Sequence, residues 1–494
     1  MLNACCLQSL YCRGIQPSSP LFEQIASQFF FQSQPIFPED LLEECLWEEP
    51  LFSEEKMTEN WKRLLALNVL CDLADVHPLK LPAKVRFFER RPWNQSSQYV
   101  RSLVALNHAF ARMPIPEVTP QVLASGAALI DICEYTPWLS LPYTPHHFEF
   151  GIFLAVLSLL GKRQDLQDIV LRMAHWQLNT LSVEGKPLSG LFVREKDTKT
   201  LQHQCLSYLL FRSAALFTQE TPFAAIAEAA IRGIQQCVEE REERMEPLWA
   251  LLEKWLAQYQ ILSCAPFQLS EQIHDSSTAL VGYRSSMQHI VCTLHGGYTG
   301  LGALRQGGIE IVSYGPQYLP LGECEGFGIE GNALSDHGMR RSTIEWQRHS
   351  FVLKGCVRLV DQPSSSLSGG GKFRGIWLDV VQEFKKPHFY LKTTFLGLDG
   401  WESVAFSFFV KAVCCKVGSQ VLYPRTFERY EGEAQLLLLE GEGGQLELCS
   451  LGFMGRMQII PLVGDNHFWG ADFLVAYFMM PEERHYQWHI SAPI

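Results

Sequence analysis

From about Pro20 to Ser263 the apolar positions recur at helical spacing, and the polar positions between them carry legible stop and start signals. Ser19-Pro20, Thr119-Pro120, Thr144-Pro145 and Thr221-Pro222 each set a capping hydroxyl before a proline, whose missing N–H costs nothing at a first helical position. The run "TPHHFEFGIFLAVLSLLGK" opens on such a cap and stops at Gly161, a residue type that tolerates the left-handed conformation after a helix. Further helices are predicted over Glu55–Ala74, Ser97–Arg112, Gln164–Leu181, His203–Phe217 and Pro247–Leu262, for about ten helices joined mostly by short loops. "FGIFLAVLSLL" and "FAAIAEAAIRGI" are apolar around most of their circumference, which demands neighbours on several sides. Antiparallel helix pairs curling into a layered ring meet that demand.

After about Leu269 the period changes to two. "MQHIVCTL", "IEIVSY", "STIEWQRHSFVLKGCVRLV", "RGIWLDVVQEF", "HFYLKTTFLG", "SVAFSFFVKAVCC", "AQLLLLEG", "QLELCSLG", "RMQIIPLV", "DFLVAYFMM" and "RHYQWHI" are β-branched and aromatic runs separated by Gly, Asp, Asn and Pro. Strands in such number, with no helical pattern among them, predict antiparallel sheets stacked as a large sandwich. The fold class expected is α+β and multidomain: an N-terminal tail over 1–18, a helical (α/α) toroid-like domain over 19–265, and an antiparallel β-sandwich, or supersandwich, over 266–494. The stretch "QPSSSLSGGGK" at 362–372 reads as a mobile connection, since it lacks the full phosphate-loop spacing and the following Ser or Thr.

Composition narrows the function classes. With 47% hydrophobic and 19% charged residues the chain is globular in character, and a net charge of -12 argues against a general nucleic-acid or anionic-membrane binder. The longest uncharged apolar run, Phe150 to Leu160, is far shorter than the roughly 20 residues a membrane-crossing helix needs. The start "MLNACCLQSLYCRG" lacks a basic n-region, so the expected location is cytoplasmic, or exported without a Sec signal. Fifteen scattered cysteines without CxxC spacing read as buried free thiols. No G-x-S-x-G elbow, H-E-x-x-H, zinc ladder or dinucleotide fingerprint is present, and no cofactor or metal is expected. His485 and His489 share a strand face, but lie about 13 Å apart at the usual strand rise, too far for one ion.

A helical ring followed by a large antiparallel sandwich resembles the polysaccharide lyases of the heparinase and alginate-lyase type. "HGGYTGLGALRQGGIEIVSYGP" at 295–316 is similar to the Gly-punctuated segment that opens their sandwich, and "GMRRSTIEWQRHSFVLKGCVRLVD" at 338–361 to the strand pair that follows. Where that family carries His-x-Asp, this chain has Tyr298 and Gly300, with His295 three residues ahead. The resemblance implies β-elimination on an acidic glycan, which needs a group to neutralise the sugar carboxylate, a base for the C5 proton and an acid for the leaving oxygen.

The residues that could supply these services are Tyr143, His147, His295 and Tyr298 as catalytic groups, with Trp93, Asn94, Tyr99, His146, Arg305, Arg340 and Arg341 holding substrate. Tyr143 precedes a helix start, and His146 and His147 fall in its first turn, where the helix dipole favours a neutral imidazole. The competing reading of these two is an ordinary surface histidine pair. Trp93 offers a stacking platform, and the arginines offer bidentate bonds to a carboxylate. Two alternatives stay open. One is a non-catalytic scaffold of the same fold that binds an anionic polysaccharide or a protein partner between the domains, since fold and site are separable. The other is a paired-carboxylate glycoside hydrolase.

Overall fold

The computed structural model describes residues 98–118, 144–183, 185, 200–218, 222–240, 247–261, 269–275, 279–294, 300–318, 340–347, 349–360, 373–397, 404–453, 456–462, 470–479 and 485–493, together with 122–123, 129–130 and parts of 61–73. Six helices with defined ends come first: α1 Gln98–Phe110, α2 Thr144–Gly161, α3 Gln164–Gln177, α4 Thr200–Phe217, α5 Phe223–Glu240 and α6 Pro247–Leu256. Their bounds follow the predicted caps closely. After Thr119-Pro120, where a helix is expected to open, the described residues form a ladder: Val122–Leu123 (β1) pairs antiparallel with Leu129–Ile130 (β2). β-branched residues at Val122 and Ile130 favour extended backbone, and the Ser125-Gly126 dipeptide between them is a turn signal that a helix cap does not override.

α2 is the centre of the helical half. Phe148, Phe150, Ile152, Phe153, Leu154, Ala155 and Val156 are all fully buried, as its all-round apolar pattern requires. It packs against α1, α3 and α4. The approach to α4 is close enough that a Cβ on Gly151 would meet Leu210 Cδ1 at 2.6 Å, so only glycine fits there without a shift. Phe153 stacks on Trp249 of α6 at 5.8 Å, tying the last helix to the first layers. α3 is amphipathic, buries Leu166, Val170, Met173 and Trp176, and tightens into a 3₁₀ turn at Leu178–Thr180.

Among the described residues eighteen strands follow, and they form two nine-stranded sheets in which every neighbouring pair is antiparallel. In chain order they are β3 Gln272–Asp275, β4 Leu280–Arg284, β5 Gln288–Cys292, β6 Gly302–Gln306, β7 Ile309–Tyr318, β8 Arg340–Gln347, β9 Ser350–Val360, β10 Phe373–Lys385, β11 His388–Leu396, β12 Val404–Lys411, β13 Cys414–Val417, β14 Gln420–Leu422, β15 Tyr430–Glu433, β16 Leu436–Gly441, β17 Gly444–Ser450, β18 Arg456–Pro461, β19 Phe473–Phe478 and β20 His485–Ser491. The first sheet runs β15-β18-β19-β12-β7-β6-β5-β4-β3 and the second β14-β13-β16-β17-β20-β11-β10-β9-β8.

Between the sheets lies one large apolar core. Tyr314, Phe406, Phe408, Tyr477 and Trp488 meet there, with Phe406 stacked on Trp488 at 4.5 Å. The two sheets differ on their outer faces. In the second, strands such as β11 alternate buried and partly exposed residues, the signature of a face open to water. In the first, β4, β5, β12 and β19 are buried almost throughout, so both faces are covered. One side chain network crosses the sandwich at the Gly-rich corner. Tyr314 donates to Gln382 Oε1 at 2.5 Å, and Gln382 Nε2 donates to the carbonyls of Thr293 and Leu301, both at 3.3 Å. Gly302 lies under the Tyr314 hydroxyl, where any Cβ would collide. Among the described residues no helix is long and apolar enough to cross a membrane.

Candidate functional site

The helices meet the sandwich where the end of α3 touches β3 and β4. Trp176 donates its indole N–H to Asp275 Oδ2 at 3.0 Å. Arg284, at the end of β4, donates from Nε to Ser270 O at 2.6 Å and from Nη1 to the carbonyls of Leu178 and Leu181, the latter at 2.8 Å. Those carbonyls belong to the turn that ends α3, where a helix leaves its last oxygens without partners and its dipole favours a cation. The chain thus supplies an arginine from one half to complete a helix terminus in the other. Burial pushes the Arg284 guanidinium down to about 10, still charged at neutral pH.

His147 reaches the same joint from α2. Gln177 Nε2 donates to His147 Nδ1 at 2.5 Å, and Thr180 Oγ1 donates to Gln177 Oε1 at 2.9 Å. Thr180 Oγ1 also lies 2.8 Å from the Gln177 carbonyl, so the three side chains form one compact polar cluster at the end of α3. The imidazole sits edge-on to Trp176 at 5.5 Å and is fully buried. His147 is neither the surface residue of the ordinary reading nor open to water as it stands. α2 turns it inward because its whole circumference is packed.

A row of basic residues crosses the first sheet from this joint. Arg284 of β4 stands opposite His289 of β5, and His289 stands opposite Arg305 of β6. Arg284 and His289 are buried, whereas Arg305 is exposed, with Glu310 of β7 as its next cross-strand neighbour. Burial, reinforced by Arg284 and Arg305, holds His289 far below the ordinary histidine range, at about 3. It is a neutral spacer between two cations. The β10–β11 turn caps this end of the sandwich: Gln288 Nε2 donates to Gln306 Oε1 at 3.2 Å and to Pro387 O at 3.1 Å, and Lys386 Nζ donates to the Tyr283 hydroxyl at 2.8 Å.

The remaining sequence candidates are dispersed. Tyr99 is buried in the helical core, where its hydroxyl donates to Glu149, whose other oxygen takes Lys62 Nζ at 3.1 Å. Glu149 follows His147 by two residues, about 200° around the helix, so Tyr99 and His147 serve opposite sides of α2. Arg341 is exposed on the edge strand β8, at a bulge and with a φ of 55°. The ladder pairs Arg340 with Cys356 and Gln347 with Ser350, and Ser350 pairs in turn with Lys385. Arg340 and Arg341 therefore lie near the end of β8 away from the turn that neighbours Arg305. His146 lies in α2, but its side chain is outside the described residues, as are Trp93, Asn94, Tyr143, His295 and Tyr298.

Trp176, Gln177, Asp275 and Arg284, which build the joint, carry no motif in the sequence. The one available signal is Arg284 itself, a charge closing the otherwise apolar strand "LVGYR". Among the described residues no group of three His, Cys, Asp or Glu is placed to hold a metal ion.

No family model matches the chain, and no curated protein matches it. Among solved structures it is similar to a Paenibacillus xanthan lyase, with a TM-score of 0.43 and 10% identity over 96% of this chain and 50% of that one. It is also similar to a chondroitin AC lyase of Streptomyces coelicolor A3 solved with chondroitin sulphate, with a TM-score of 0.40 and 10% identity over 95% and 64% of the two chains. A chondroitinase AC lyase solved with oligosaccharides gives a TM-score of 0.31 and 9% identity over 99% and 82%. The chain spans half the length of the xanthan lyase.

Proposed function

We propose that this chain is a polysaccharide-lyase-like protein that binds an acidic glycan beside the joint between a toroid-like helical domain over 19–265 and a sandwich domain over 266–494. The observation that carries this reading is the basic row that runs from the buried Arg284 past a neutral His289 to the exposed Arg305. In a chain with a net charge of -12, the exposed Arg305 at the end of this row offers a local anchor for a carboxylate or sulfate, while the buried Arg284 fixes the joint beside it. Arg340 and Arg341, near the far end of β8, stand apart from this anchor and are not part of the proposed contact.

The burial of His147 and its bond to Gln177 favour binding without cleavage, because a base must reach the proton it removes. In an elimination reaction the chemistry would fall to Tyr143, His295 and Tyr298. Two measurements on one panel of anionic polysaccharides separate these outcomes: equilibrium binding, and absorbance at the unsaturated-uronate band. Binding that weakens on raising salt and is lost in Arg305→Glu, with no absorbance change, is the expected result. A rise in absorbance that Tyr143→Phe removes would replace the scaffold with an enzyme. No binding to any member of the panel would end the glycan proposal.

A further inference from the structure

The open face of the second sheet carries a cluster that the joint does not use. His388 opens β11 and His489 lies near the end of the adjacent β20, 101 residues away in sequence. The ladder pairs Phe389 with Ile490 and Tyr390 with His489, which makes the two histidines diagonal neighbours on one face. Their rings are 5.1 Å apart between centroids, and His388 Nδ1 lies 3.1 Å from His489 Nε2. Tyr390 stacks on His489 at 4.7 Å with an interplanar angle of 19°, fixing that ring from one side. Both histidines are partly exposed, so an ion and its waters have access.

We propose that His388 and His489 form a bidentate site for an imidazole-preferring divalent transition metal such as Ni²⁺, Cu²⁺ or Zn²⁺. The separation of the nitrogens is what a chelate needs. With metal–nitrogen bonds of about 2.0–2.1 Å, a 3.1 Å spacing gives an N–metal–N angle of about 100°, between the square-planar and tetrahedral values. Two neighbouring strands of a nine-stranded sheet hold the donors, so little ordering remains when the ion arrives. One N–H now lies between the rings as a hydrogen bond. When the ion enters, that hydrogen moves to the far nitrogen of the same ring, and two neutral imidazoles lose no net proton.

Across from His489 on β17 stands Cys449. On β10, Lys385 and Glu383 stand opposite His388 and Tyr390 and pair with each other at 2.5 Å. Among the described residues no third His, Cys, Asp or Glu joins the two imidazoles, so water would complete the coordination sphere.

The test is calorimetric titration of the untagged full chain with NiCl₂ at pH 7.5, alongside the shift in melting temperature that the metal produces. His388→Ala and His489→Ala should each weaken binding roughly tenfold or more and each abolish the stabilisation, because removing either donor destroys the chelate. His485→Ala should leave both readouts unchanged, since its Nδ1 is engaged with Thr394 Oγ1 at 2.9 Å and faces neither ring. If an alanine variant fails to fold by circular dichroism, His388→Gln and His489→Gln replace it. A wild-type chain that binds no Ni²⁺, or single variants that each retain wild-type affinity, would overturn the proposal.

Discussion

The helical half and the sandwich place their polar groups in opposite ways. In the helical core Lys62, Glu149 and Tyr99 form one buried network, Asn68 bonds Asn107 at 3.2 Å, Tyr208 bonds Glu253 at 3.3 Å, and His147, Gln177 and Thr180 form another. The space between the sheets is mostly aliphatic and aromatic, with the Tyr314–Gln382 crossing and small hydroxyls such as Thr393 and Ser450 as its polar members. A helix satisfies its own backbone, so a polar side chain on a fully packed helix must find another side chain. A strand sends alternate residues to opposite faces, so polar ones leave the core unless their own face is covered. Where the first sheet is covered, Arg284 and His289 are trapped; where the second is open, His388 and His489 face water.

Breaking the helical network should have the largest effect. Glu149→Leu leaves Lys62 and Tyr99 buried without their shared acceptor, and should cost about 3–5 kcal/mol in urea unfolding. A loss below about 1 kcal/mol would show that the network contributes little and that the contrast between the halves is one of composition only. The joint comes next. Arg284→Met removes three carbonyl contacts and should cost about 2–3 kcal/mol, while splitting a single calorimetric transition into two as the halves unfold separately. A single unshifted transition would deny the joint any mechanical role.

The pH dependence of His289 sharpens the same comparison. Unfolded, it binds a proton below about 6.5; folded, it does so only near 3, because burial and two arginines oppose its charge. The unfolded chain therefore holds more protons between these values. Stability falls as pH drops through that window, by about 1.4 kcal/mol per unit well below 6.5, and is untouched by this group above it. His289→Gln should flatten the slope between pH 6 and 4.5 by about one proton; an unchanged slope would refute the assignment. Smallest is Tyr314→Phe, which strips one hydroxyl from the sandwich crossing and should cost about 1–1.5 kcal/mol. A cost comparable with Glu149→Leu would erase the distinction between the two cores.

Much of the fold was readable from pattern. Thr144-Pro145 and Gly161 bracket α2 as drawn, Pro247 opens α6, and "HFYLKTTFLG" and "RHYQWHI" are strands. These signals are local, carried by caps, breakers and periodicity within one segment. The Val122–Leu123 ladder escaped because a cap motif also precedes strands, and the short strands Gln420–Leu422 and Tyr430–Glu433 escaped because they are too brief to show a period. The candidate site was less legible. Arg305 could be picked as an exposed cation, but its alignment with Arg284 through His289 depends on strand register, and the inward turn of His147 on how many helices surround α2.

The amino-acid sequence by itself determined where helices give way to strands, because periodicity and turn chemistry act over a few residues and need no distant partner. Only the tertiary structure decided which charged groups became neighbours. Along one strand His489 and His485 stand apart, yet β-sheet register sets His489 3.1 Å from His388, 101 residues away. Pairing between strands far apart in the chain is chosen by the packing of the whole sandwich, and no single segment contains that choice.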